Sequence, residues 1–276
     1  MLEVHVERSL RVRVPPRAPI PHFRFMNFSF EKAVRWLDGV LEPWKFDDAS
    51  NNGVQIGREG DEIKKIAFAV DASVKSVRAA IEVGAELLVV HHGISWGGGI
   101  KRLTGEKFNV VKAAVNGNLA IYASHLPLDA NSKLGNNRAL AREFALKSLK
   151  RAFSYHGNVL GFTGILESIG KLPKSGLAAR REFQEAISAI GGKGPIKIGV
   201  CSGGAGEFAA EAKELGCDLF VTGEASWGDV IAAENCAAAM VCLGHYETEV
   251  FGVRGLAKAM KRALGINTVD LTEELR

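Results

Sequence analysis

The sequence predicts an α/β protein in which a mainly parallel sheet is covered by helices and the chain is built as two related halves. Two observations carry this: strand-like and helix-like segments alternate from Ile63 onward, and one strand–helix–strand stretch recurs in weakened form further along the chain. In order, "MNFSFEKAVRWLDGVL" sets Ser29 as an N-cap ahead of an apolar spacing of Ala33, Val34, Leu37, Val40 and Leu41, which predicts an amphipathic helix. The strand "IKKIAFAV" follows, then a helix over 74–83, the strand "AELLVV", a helix over 107–116 and the strand "NLAIYAS". A second series comprises a helix over 178–189, the strand "IKIGV", a helix over 207–215, the strands "CDLFVTG" and "AMVCLG", and a helix over 253–264. In the repeat, "FAVDASVKSVRAAIEVGAELLVVHHGISWGG" matches "IGVCSGGAGEFAAEAKELGCDLFVTGEASWGD" across two short gaps, so each half offers a polar strand end, "HHG" in one and "TGE" in the other.

Composition narrows the class. With 47% hydrophobic and 24% charged residues, 276 residues suffice for one large or two ordinary globular domains, and apolar runs are strand-sized rather than membrane-spanning. Cys201, Cys217, Cys236 and Cys242 form no C-x-x-C pair, which fits reduced packed thiols in a cytoplasmic protein. The formal charge of +4 is concentrated in residues 1–25, where five arginines face two glutamates; the remainder carries only +1 and has no basic stripe for nucleic acid. That arm holds four prolines between Pro15 and Pro21 and reads as an N-terminal extension, with the functional unit beginning at Met26.

The chemistry gathers at strand ends. A strand apolar on both faces and polar at its tip delivers its polar groups to the rim of the sheet. In "LLVVHHGISWGG" these groups are His91 and His92. Successive strand side chains point to opposite faces, so a bend at Gly93 is needed for both to enter one cleft, a geometry favouring two neighbouring ions with one imidazole each. "AIYASHLPLDA" places His125 and Asp129 after another apolar strand, with Pro127 predicting a non-helical connection. In "MVCLGHYETEV", a helix beginning near His245 stacks that imidazole and Glu249 on one face. Blander uses stand beside each: a histidine satisfying a buried carbonyl, Asp129 capping a helix from Ala130, Glu249 as a first-turn acid, His125 orienting a ligand. Mixed imidazole and carboxylate donors suit zinc, manganese or iron(II), and carboxylates bridge ions readily, which makes Asp129 and Glu249 the natural bridges. "VCSGGAGE" brings Ser202, Gly203 and Gly204 into a turn whose amides could hold an anion or substrate, although without a Walker lysine it also reads as a tight turn walling a pocket.

"NNGVQIG", "VVHHGISW", "SHLPLD", "TGEAS" and "GHYETE", in this order, resemble the Nif-three-like dinuclear-metal proteins, often labelled type 2 GTP cyclohydrolase I homologues, over about Met26 to the C-terminus. The resemblance implies a three-layer α/β/α fold of two intertwined domains, here residues 26–130 with 246–276 and residues 131–245, in the short form without an inserted middle domain. It implies a toroidal homohexamer whose metal pairs face an internal cavity, with His91, His92, Asp129, His245 and Glu249 as ligands of two divalent ions and His125 close by. The chain departs from some relatives in carrying Gly93 where they read "HHP", and "ASWGD" where many place a histidine.

These residues point first to a metal-dependent hydrolase of a nucleotide or another phosphorylated or heterocyclic small molecule: paired ions bring water to ionise near neutral pH, and His125 is the candidate for proton transfer. The alternative is a metal-stabilised scaffold or adaptor, because ions joining separate segments contribute folding free energy. Binding of nucleic acid or a regulatory partner rests mainly on the N-terminal arginines and on what the resemblance implies, and no residue pattern identifies a guanine-reading pocket.

Overall fold

The computed structural model of the protein describes residues 28–191 and 194–276. The expected extension over residues 1–25 and the expected start at Met26 lie outside the described residues. The elements run β1 (Phe28–Ser29), α1 (Phe30–Leu41), β2 (Gly53–Ile56), β3 (Glu62–Ile63), β4 (Lys65–Asp71), α2 (Val74–Glu82), β5 (Leu87–His92), α3 (Gly105–Asn116), β6 (Ala120–Ala123) and α4 (Leu126–Ala130). They continue with α5 (Asn136–Glu143), β7 (Lys147–Tyr155), β8 (Asn158–Leu166), α6 (Arg181–Ile190), β9 (Ile196–Val200), α7 (Ala209–Glu214), β10 (Leu219–Thr222), α8 (Trp227–Asn235), β11 (Met240–Cys242), α9 (His245–Leu264) and β12 (Asn267–Asp270).

Two five-stranded mixed sheets result, β12-β4-β5-β6-β2 and β11-β10-β9-β8-β7. In the first, β12, β4, β5 and β6 are parallel and β2 runs antiparallel at the edge. In the second, β9, β10 and β11 are parallel and the β7–β8 hairpin is antiparallel. Strand alternation divides the residues between two faces. Ile66, Phe68 and Val70 of β4 pack with Leu37 of α1 and Leu256 of α9, whereas Ala67 and Ala69 pack with Val77 of α2 and Val110 of α3. The second sheet repeats the plan: Ile198 and Val221 meet Phe144 of α5 and Phe183 of α6, while Phe220 on the other face meets Ala209 and Ala212 of α7. Each sheet is therefore covered on both sides, the three-layer α/β/α arrangement, and each fully buried side chain contributes roughly 1.5–3 kcal/mol. Among the described residues, no helix is long and apolar enough to cross a membrane.

The internal repeat extends to single side chains. Glu86 accepts from the amide of Lys65 at the start of β4, and Asp218 accepts from the amide of Lys197 at the start of β9. The Lys65 ammonium binds the carbonyl of Val83 after α2, and the Lys197 ammonium binds that of Leu215 after α7. A lysine in the entering strand thus ties off the carbonyl end of the following helix in both halves.

Several local expectations are corrected. Pro127 does not force a non-helical link: it lies in the first turn of α4, where its missing N–H has no intrahelical partner to lose. Asp129 sits inside that helix and caps nothing. The helix expected near His245 does begin there and runs unbroken through the separately read 253–264 segment, with Gly244, at a φ of 98°, as its N-cap. The β7–β8 hairpin and helix α5 are not announced by the sequence reading, whereas α8 carries a signal it passes over, the capping box of Ser226 and Asp229.

Candidate metal centre

Parallel strands of both sheets end around one cleft. β5 contributes His91, with none of its surface exposed, and His92. His125 follows β6 as the N-cap of α4, which carries Asp129; His245 and Glu249 occupy the first turns of α9. Asp129 and Glu249 are 6% and 2% exposed, so two carboxylates have been taken out of water, which is costly unless cations or strong donors meet them.

Glu249 stands at the middle. Its Oε1 lies 3.4 Å from His91 Nε2, and its Oε2 lies 3.3 Å from His92 Nε2 and 3.2 Å from His245 Nε2. Asp129 Oδ2 lies 3.4 Å from His91 Nε2. The donors fall into three groups whose ligand atoms lie within 4.8 Å of one another: His91, Asp129 and Glu249; His92, His245 and Glu249; and His91, His92 and His125. Of the two carboxylates expected to bridge, only Glu249 is shared between groups. The other oxygen of Asp129 accepts from Asn136 Nδ2 at 2.9 Å and Ser202 Oγ at 3.1 Å. His91 and His92 also come closer than an undistorted strand suggests, with ring centroids 4.5 Å apart. Past them the chain bends at Ile94, and Gly93 is closely packed: a Cβ there would fall 2.3 Å from Gln55 Oε1 and 2.6 Å from the Ala123 Cβ. Gln55, in β2 of the "NNGVQIG" segment, accepts there from the amides of Ile94 and Ser95.

All four imidazoles are fixed through Nδ1. His91 Nδ1 meets the Ser124 carbonyl at 2.9 Å, His92 Nδ1 meets Asp71 Oδ1 at 2.8 Å, His125 Nδ1 meets Asp48 Oδ1 at 2.8 Å, and His245 Nδ1 meets Glu224 Oε1 at 2.9 Å. Such partners set ring orientation and tautomer, leave Nε2 as the free nitrogen, and raise its basicity toward a metal. His91 Nε2 and Glu249 Oε2 are buried with no hydrogen-bond partner. Buried polar atoms are seldom left so, and here both point into a set of nitrogen and oxygen donors suited to a borderline transition metal. The residues therefore fit a bound divalent ion.

The electrostatics agree. Complete burial opposes an imidazolium at His91, yet the Asp129 and Glu249 charges outweigh it, and its pKa rises to about 10. For His245 the close approach of the Glu249 carboxylate, 3.2 Å from its Nε2, is the largest influence, opposed by partial burial and supported by Glu224, giving about 9. Burial pushes the Glu249 carboxyl up, but the surrounding histidines hold it well below the ordinary carboxylate range. At neutral pH the metal-free protein thus stores protons on nitrogens that an ion must take. Metal uptake is expected to release about two protons per chain near pH 7, and affinity is expected to rise with pH until about pH 9–10, where these imidazoles are already neutral. Titration calorimetry in two buffers of different ionisation enthalpy measures the count; no proton release would contradict it.

The cleft has a volume of about 300 Å³ and is lined by His92, His125 and Glu249 on one side and by Trp96, Tyr155 and Phe208 on another. A larger cavity, about 430 Å³, lies against Tyr246, Phe251 and Arg254, and the described residues place no cluster of metal donors there, so chemistry rather than size selects the first. Ser202 and Gly204 line the cleft, but the amides of Ser202 and Gly203 donate to Asn137 Oδ1 and Thr248 Oγ1. Those two amides are therefore satisfied within the chain, and Ser202 and Gly204 take part in the cleft as wall residues. Sequence reasoning misses Asp48, Asp71 and Asn136, and treats Glu224 only as a strand end. Asp48 is the most connected, since it also accepts from the amides of Ser50 and Leu126 and from the Asn52 side chain.

Fold and site together define a three-layer α/β protein that gathers imidazoles and carboxylates where the parallel strands of two sheets end. A profile of the Duf34/NIF3 (NGG1p interacting factor 3) family matches residues 28–273. Proteins named "GTP cyclohydrolase 1 type 2 homolog" are similar throughout: that of Archaeoglobus fulgidus is 37% identical over 249 residues, covering 87% of this chain and 96% of its own, and that of Deinococcus radiodurans 36% over 238 residues, covering 86% and 90%. Among solved structures, protein ybgI, described as of unknown function, superposes with a TM-score of 0.74 at 25% identity over 89% of this chain and 98% of its own. TTHA1606 from Thermus thermophilus gives 0.71 at 28%, over 88% and 98%. The chain belongs to the Duf34/NIF3 family.

Proposed function

We propose that this protein is a hydrolase that works with two divalent transition-metal ions per chain, acting on a nucleotide or another phosphorylated or heterocyclic small molecule. The observation that carries the reading is the pair of orphaned buried atoms, His91 Nε2 and Glu249 Oε2, at the centre of rings whose other nitrogens are tied down. His91, Asp129 and Glu249 would hold one ion and His92, His245 and Glu249 the other. When bound, such ions supply Lewis acidity and make water ionise near neutral pH.

The chain's own residues do the rest. Asp129 is aimed by Asn136, whose Oδ1 accepts from the Gly252 amide of α9 at 2.6 Å, so the two acidic ligands are positioned by one side chain. His125 keeps a free ring nitrogen beside the donors and its Nδ1 on Asp48, an arrangement that fixes the tautomer and lets the ring take or give a proton. The name shared by the curated relatives implies hydrolysis of a guanine nucleotide; the orphaned donors speak for hydrolysis without selecting that substrate. A scaffold without turnover needs a closed coordination shell, whereas this cleft opens beside the donors, which supports chemistry. The reading extends to assembly as a ring-shaped homohexamer with the clefts turned inward, which solution mass measurement tests.

Elemental analysis of the purified protein followed by phosphatase, esterase and nucleotide-hydrolase assays, before chelation, after it, and with metal restored, tests the proposal. Turnover that disappears and returns with the metal is expected; full turnover by the metal-free protein would end it. His125→Gln is expected to keep its metal while losing roughly 10²–10⁴-fold in turnover; wild-type turnover in that variant would remove His125 from proton transfer.

A further inference from the structure

The cleft walls narrow the substrate class. Trp96 is held as a rigid plate: its backbone bridges Ser50, the next amide donates to the Ala49 carbonyl at 2.6 Å, and its own Nε1–H donates to the Gly93 carbonyl at 2.8 Å. With its one polar atom satisfied by backbone, the indole offers the cleft only aromatic surface. Its ring stands 5.1 Å from that of His125 and 6.1 Å from that of His92, which brings the aromatic plate next to the donor cluster. Leu126, Tyr155, Leu160 and Phe208 extend the apolar wall. In the second half of the repeat the matching Trp227 starts α8, is 76% exposed and does not line this cleft, so the feature belongs to one half only.

Charge points the same way. Among the described residues, no lysine or arginine lines the cleft; Asp129, Glu207 and Glu249 do. Behind the imidazoles stand Asp48, Asp71 and Glu224. Six carboxylates outnumber the four positive charges that two divalent ions would bring, so a phosphorylated ligand would enter a field of its own sign. Clamping of phosphate ordinarily relies on arginine or lysine as well as metal. The nearby Arg151 is committed to the carbonyls of Ala130 and Val159.

We propose that the cleft takes an uncharged, flat heteroaromatic compound, its ring against Trp96 and its polar substituent toward the donor cluster, and that it discriminates against phosphorylated ligands. This rests on the hydrolase reading and selects among the substrate classes it leaves open. A volume near 300 Å³, at the low end for small-molecule pockets, suits one or two rings.

The probes are nicotinamide, a neutral ring with an amide, phenyl phosphate, a ring of similar size with a charged group, and inorganic phosphate. Binding is read by tryptophan fluorescence and equilibrium dialysis on the full chain, metal-free and metal-loaded, with metal content measured in each sample. Nicotinamide is expected to bind in both states and at least about tenfold more tightly than phenyl phosphate in each, because like charges oppose the latter. Trp96→Ala is expected to weaken nicotinamide about tenfold while Trp96→Phe retains most affinity and both keep wild-type metal content. Phenyl phosphate or inorganic phosphate binding as tightly as nicotinamide to the loaded protein would overturn the proposal, as would unchanged nicotinamide affinity in Trp96→Ala. Ring preference surviving in a protein that retains no metal would sustain this inference while the hydrolase reading fails, so the two failures are distinct.

Discussion

With two ions held as proposed, Glu249→Ala is expected to lose both at once. Its two oxygens face different donor groups, Oε1 toward His91 and Oε2 toward His92 and His245, so deletion removes a ligand from each. Loss of a mere orienting partner typically lowers metal affinity 10–100-fold, so removing a shared ligand is expected to cost more than about a hundredfold. Elemental analysis after dialysis should find the variant essentially empty, and turnover should vanish with the metal. His245→Ala, by contrast, removes a ligand from one group only and should leave part of the metal in place. Equal metal retention by wild type and Glu249→Ala would mean that Glu249 is not a ligand.

Gly135→Ala is expected to be among the most destabilising single-methyl additions in the chain. Gly135 precedes α5, and a Cβ there would stand 2.3 Å from the Leu128 carbonyl oxygen, 2.6 Å from that of Asn131 and 2.9 Å from that of Asp129. All three are backbone atoms, so no side chain can swing away; the α4–α5 corner must shift. Overpacking of this kind costs about 3 kcal/mol, which for a chain of this size lowers the melting temperature by roughly 6–12 °C. The same shift would move Asp129 and Asn136, so metal affinity should fall alongside stability. Thermal unfolding of the metal-free protein isolates the packing cost, and an unchanged midpoint would refute the corner's rigidity.

The parts of the fold that were legible are those in which local pattern and burial agree. β4 and β5 are nearly continuous apolar runs because helices cover both of their faces, and α1 announces itself through Ser29 and the spacing of Ala33, Leu37 and Leu41. The β7–β8 hairpin was not legible. β7 reads "KSLKRAFSY", an edge strand whose charges and whose left-handed residues Ser148 and Phe153 break simple alternation. Its turn uses His156 and Gly157, both at positive φ, where Asn-Gly would have been the recognisable signal. In the site, the histidines and acids at strand ends stood out because packing alone seldom calls for a polar tip on an apolar strand. Asp48, Asp71 and Asn136 act through the neighbours they hold, and their partners His125, His92 and Asp129 lie 77, 21 and 7 positions away, so no short motif joins them. Asp71 at the tip of β4 was the most recoverable: it ends an apolar strand just as His92 does, and the two are paired in register.

α9 roots its middle and far end in the first sheet through Val253, Leu256 and Met260, sets Phe251 against the core of the second, and opens with His245 and Glu249. Its first turn is thus a hinge pin seated in both layers, and each cation held there would act as a rivet. Prising the two layers apart at this end would therefore pull the donors of any bound ion away from one another, so that opening of the molecule and loss of the ion would be linked.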